Sequence, residues 1–159
     1  MSARQHAARL RAIADHVGQP GLAALGRSPG VQAVYRVTIY YFDRRACHVL
    51  GTLTKAPLAS EQLVIHFEGA LGHKPLTYPM TAERMEAFVR ALATIDFDHL
   101  PDQPNLPTYA TSDLWFIERA AGVFSHSLIV APALAEGVYT ALVDAVREYL
   151  PEILREIPP

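Results

Sequence analysis

The sequence predicts a single α+β domain: an antiparallel sheet of about five strands with helices packed on one face, in the order α-β-β-β-α-β-β-α. Three observations carry this expectation. Between 112 and 130, two runs of alternating apolar residues flank Ala120, Ala121 and Gly122, the pattern of two strands joined by a tight turn. Between 33 and 68 the chain is rich in β-branched and aromatic residues, which suit a pleated, half-buried surface. Elsewhere apolar residues recur every three or four positions, the spacing that places them on one side of a helix. Antiparallel strand pairs joined by short turns leave the helices to cover the sheet.

Leu10, Ile13, Ala14 and Val17 share one side of a helix over 3–17, and Arg4, Arg9 and Arg11 occupy its other sides. Gly18 and Pro20 end it, as these residues do just past a helix terminus. Residues 21–30 are small and turn-rich and read as a connector. A strand over 33–42 sets Tyr35, Val37, Ile39 and Tyr41 on one face and Arg36, Thr38 and Tyr40 on the other. Asp43, Arg44 and Arg45 form a turn into a second strand over 46–54, closed by 55–60 with its Pro57. The third strand, 61–68, opposes Leu63, Ile65 and Phe67 to Gln62, Val64, His66 and Glu68. Two glycines and two prolines make 69–79 a loop.

Thr81 stands where its side chain can cap a helix over 81–95, whose stripe is Met85, Phe88, Val89, Leu92 and Ile95. Pro101, Pro104 and Pro107 exclude a helix interior or a central strand from 96–108, which leaves a long surface connection. The hairpin strands are 112–119 and 123–130. Gly122 as third loop residue suits a type I turn followed by a left-handed glycine. That register puts Leu114 and Phe116 on one face with Phe124, His126 and Leu128, and Trp115 and Ile117 on the other with Ser125 and Ser127. The last helix, 135–150, buries Val138, Leu142, Ala145, Val146 and Tyr149, and Pro151 stops it.

At 159 residues with 50% hydrophobic and 19% charged, the chain is long and apolar enough to form one core, not a disordered segment. A net charge of -2 lacks the clustered Lys and Arg on which nucleic-acid affinity rests, so no nucleic-acid partner is expected. No apolar run reaches the roughly 20 residues of a membrane-spanning helix, and the N-terminus lacks the zones of a secretory signal. The expected location is the cytoplasm, with no membrane partner.

Candidate chemistry is sparse. Cys47 is the single cysteine, which rules out an intrachain disulfide or a cysteine zinc cluster, and it reads as a small buried hydrophobe. His66 and Glu68 lie two apart on one strand and so point the same way; His126 or Glu118 on the hairpin could join them as a third group for metal or acid–base work. Ser125 and Ser127 flank His126 but alternate with it across the sheet, so they cannot form a Ser–His dyad. No phosphate loop, dinucleotide fingerprint or nucleophile elbow is present, and no metal or cofactor is expected.

The strand aromatics, Tyr35, Tyr40, Tyr41, Phe42, Trp115, Phe116 and Phe124, are too many for one helix-covered face. Either the first helix covers the second face, or that face stays uncovered and marks a partner surface. On the second reading a non-catalytic protein-binding module is expected, a homodimer contacting its partner through Tyr40, Phe42 and Trp115. The order helix, three strands, helix, two strands, helix resembles that of the type III secretion chaperones. This resemblance implies a dimer that holds a protein client. An antitoxin- or immunity-like binder fits the same features. The alternative is a small-molecule or metal-binding enzyme with its site at His66, Glu68 and His126.

Overall fold

The computed structural model describes residues 3–57 and 61–159; the turn expected over 55–60 lies partly outside them. Six strands form one antiparallel sheet: β1 (Ala33–Tyr40), β2 (Val49–Lys55), β3 (Gln62–Phe67), β4 (Leu76–Pro79), β5 (Leu114–Ala121) and β6 (Phe124–Val130). Their order is β4-β3-β2-β1-β5-β6. The first four make a meander, after which α3 (Ala82–Thr94) and the Pro-rich connection carry the chain back to place β5 beside β1. β1 is therefore central, and each of its residues is buried.

That burial arises because helices cover both faces. On the front face, Val37, Ile39, Val49, Leu53, Ile65, Trp115, Ile117 and Leu128 pack against Met85, Phe88 and Leu92 of α3. Leu142, Val143 and Val146 of α4 (Val138–Tyr149) complete the same core. On the back, Leu10 and Ile13 of α1 (Ala3–His16) meet Tyr40, Leu114, Phe116 and Ile129, while Leu22 of α2 (Leu22–Gly26) meets Val34 and Ala120. The expected arrangement with all helices on one face holds for α3 and α4 alone. Back-face residues Val34, Tyr40, Leu114 and Phe116 are apolar enough to need a cover, and α1 has the apolar stripe to provide it.

The α+β class and the antiparallel sheet agree with the sequence expectation; several boundaries do not. β4 falls within the expected loop 69–79, and its Pro79 is tolerated at the end of an edge strand that needs no further ladder bond. α2 falls within the expected connector 21–30. The hairpin loop is shorter than expected: Ala121 pairs with Phe124, leaving Gly122 and Val123 as its two residues. Gly122 takes φ +58 at the first loop position, which a glycine adopts without strain. The shorter loop moves the register, so Trp115 faces the front with Val130, and Glu118 faces the back with Ser127. The last helix begins at Val138, because Gly137 at φ +57 breaks the chain just before it.

The Pro-rich connection lies along the outer side of β6. The Gln103 backbone N–H donates to the Ile129 carbonyl (3.0 Å), and the Asp102 carboxylate accepts from the Ile129 N–H (2.8 Å). The Gln103 side chain accepts from the Ala131 N–H (2.8 Å) and donates to the Leu134 carbonyl (2.8 Å).

Candidate functional site: a polar row beneath the first helix

Neighbouring strands align four polar side chains across the back of the sheet. Arg36 on β1 is the register partner of Thr52 on β2 and of Glu118 on β5, and Glu118 in turn faces Ser127 on β6. Thr38, two residues along β1, shares this face. Above the row, α1 contributes Leu10, Arg11, Ala14 and Asp15, and the start of α2 contributes Leu22. A cavity of about 540 Å³ lies between them. It persists because α1 packs its apolar stripe on Phe116 and Ile129, away from the charged middle of the sheet.

Arg36 is the most unusual residue of the row, charged yet only 2% exposed. Its Nε donates to Thr52 Oγ1 (3.2 Å) and its Nη1 to the Pro20 carbonyl (2.9 Å). Nη2 is buried and has no hydrogen-bond partner among the described residues. Burial lowers the pKa of this guanidinium, and Glu118 partly offsets the effect. Although Arg36 and Glu118 are direct cross-strand neighbours, they form no ion pair. Burial pushes the Glu118 carboxyl above its ordinary range, against the pull of Arg36 and then of Arg11. At the mouth, the exposed Arg11 lies with its guanidinium carbon 5.4 Å from the centre of the Phe116 ring.

Of the residues singled out from sequence, His66 and Glu68 lie elsewhere, while His126 borders the cavity from the β6 edge. His66 is on the back face of β3, its Nδ1 buried without a hydrogen-bond partner and its pKa lowered by burial and then by Arg36. Glu68, just beyond β3, meets His16 of α1 at 3.3 Å. His126 is on the front face of β6, where its Nε2 lies 2.8 Å from the Leu100 carbonyl and its ring meets Phe97 edge-on. β2, β1 and β5 separate His66 from His126, so His66, Glu68 and His126 do not form one site. Among the described residues, no group of three or more His, Cys, Asp or Glu side chains is arranged to hold a metal ion.

The rings expected to contact a partner are also dispersed. Tyr40 is buried under α1, stacked on His48 at 4.6 Å. Trp115 is buried on the front, with Arg147 of α4 over its ring. Phe42 alone of the three is exposed, at 39%. Tyr35, Tyr41 and Phe116 are buried as well, so the sheet keeps no bare aromatic face. Cys47 is buried, with its Sγ 3.7 Å from the Pro158 carbonyl.

Sequence reasoning missed Arg36, and it weighed Glu118 only as a further group beside His66 and Glu68, not as the neighbour of Arg36. The available signal was a charge in the middle of each of two apolar strands, on a face shared with Tyr40 and Phe116. No protein-family model matches the chain, and no curated protein is significantly similar to it. No helix among the described residues is long and apolar enough to cross a membrane. The fold is thus α+β, with a partly open polar cavity beneath α1.

Proposed function

We propose that this chain is a binding domain whose ligand is a small molecule, held within one subunit between α1, α2 and the back of the sheet. The observation that carries the reading is the cavity of about 540 Å³ floored by Arg36, Thr38, Glu118 and Ser127. Small-ligand sites typically occupy about 300–1,000 Å³ and combine apolar walls with a few convergent polar groups. Leu10, Leu22 and Phe116 supply such walls here. A buried polar group without a partner is costly, and a ligand hydrogen-bonding to the row would offset part of that cost.

Thermal unfolding of the purified protein against a library of small polar metabolites tests this. A compound at about a hundred times its Kd is expected to raise Tm by about 5 °C or more. Ala14→Phe, which fills the cavity from α1, is expected to abolish that rise. A library that produces no shift, or shifts unchanged in Ala14→Phe, would count against the reading.

A protein-binding role, with self-association or a protein client, is favoured by one separate observation. The hairpin tip presents Val123 at 92% and Phe124 at 42% exposure, an apolar knob that solvent does not favour. Light scattering at high concentration tests it: association is expected to be lost in Phe124→Ser, and a strict wild-type monomer removes the self-association part.

A further inference from the structure

The charges around the cavity are unevenly matched. Two guanidinium groups, Arg11 from α1 and Arg36 from β1, act on one partly buried carboxyl, Glu118, and neither forms an ion pair with it. Arg36 uses Nε and Nη1 on neutral oxygens, while Nη2 has no hydrogen-bond partner among the described residues. Asp15, one turn beyond Arg11 on α1, lines the rim but is exposed, where water screens it. Glu118, the cross-strand partner of Arg36, makes no ion pair with it, and burial works against the charged form of its carboxyl. The buried guanidinium of Arg36 thus keeps one nitrogen, Nη2, without an acceptor, a situation that favours binding one.

We infer that the cavity takes a small organic carboxylate, its anionic end between Arg11 and Arg36 and its apolar body against Leu10, Leu22 and Phe116. The inference rests on the small-molecule reading above and adds the chemistry of the ligand. A carboxylate suits the site because a guanidinium pairs with its planar pair of oxygens. Ser127 and Thr38 offer hydroxyl donors to the same group.

The test pairs each carboxylate with its uncharged amide: benzoate against benzamide and hexanoate against hexanamide, titrated into the full chain and followed by backbone amide NMR shifts. At least one carboxylate is expected to shift amides of β1, β5 and β6 and to bind at least ten-fold more tightly than its amide. Arg11→Ala, a change at an exposed position, is expected to weaken that carboxylate three- to ten-fold while leaving the amide unaffected. Arg36→Met is expected to lose at least ten-fold; should it not fold, Arg11→Ala and the amide comparison decide alone. Carboxylate and amide binding alike would overturn the charge assignment and leave the small-molecule reading standing. No shifts with any of the four would overturn both.

Discussion

On the front of the sheet, β1, β2 and β5 present Val37, Ile39, Val49, Leu53, Trp115 and Ile117 to α3 and α4. One residue away along the same strands, the back presents Arg36, Thr38, Thr52 and Glu118 to α1 and α2. The strands are shared; the covers differ. α3 and α4 fill the space above the front, whereas α1 and α2 pack at the margins of the back and leave a cavity over its charged middle. Alternation with period two lets a single strand stabilise the domain on one side and hold buried polar groups on the other.

The largest test of this contrast removes one apolar anchor from each cover. Phe88 is fully buried at the centre of the front and meets Tyr35 edge-on, with ring centroids 5.7 Å apart. Phe88→Ala is expected to cost about 3–5 kcal/mol in urea denaturation, from lost transfer energy and the cavity left behind. Leu10→Ala, beneath α1, is expected near the low end for its type, about 2–3 kcal/mol, because its cluster is small. Equal costs at the two sites would break the comparison.

A second test probes how tightly the front is filled. A Cβ added to Gly51 on β2 would stand 2.5 Å from Ile153 Cδ1 and 2.7 Å from its Cγ1. Gly51→Ala is expected to destabilise by about 1–3 kcal/mol through overpacking. Combined with Ile153→Ala, it should cost measurably less than the sum of the two single changes. Strict additivity would show that the two residues are not in contact.

The smallest effect concerns the back. Burial raises the Glu118 pKa above its ordinary 4.5, so the folded state holds this proton more firmly than the unfolded chain does. Its stabilising contribution is complete below about pH 4.5 and declines as pH rises through the folded-state pKa. Glu118→Gln, which cannot ionise, is expected to be more stable than the parent at pH 7, with the advantage vanishing below pH 4.5. Thermal unfolding across that range checks it. An advantage that grew in acid would reverse the sign and refute the assignment. Arg11→Ala, at an exposed position, is expected to change stability by less than about 0.5 kcal/mol in the same assay.

What the sequence made legible follows from what alternation and helical spacing encode. The faces of β1 and β3 read correctly, because period two assigns each side chain directly. β4 escaped notice: four residues ending in Pro79 give too short a pattern. α2, a single turn of small residues, gave no stripe to read. The hairpin register turned on whether its loop holds two residues or three, a choice that Ala121, Gly122 and Val123 leave open. The site was hidden for a different reason. Alternation placed Arg36 behind Val37, but it does not say which helix will lie over Arg36 or whether space will remain there. His66 and Glu68 drew attention through residue type and a shared strand face, and sheet order separated His66 from His126.

The hydrogen bonds that Asp102 and Gln103 make to Ile129 and Ala131 occupy outward-facing backbone groups at one end of β6. At the opposite margin, Pro79 lacks the N–H that a further strand would require. An incoming extended chain therefore meets obstructed ladders at both borders, the condition that discourages runaway strand-by-strand polymerisation. The short stretch of β6 around Ser125 and Ser127 is the place along that border where such an addition would have to begin.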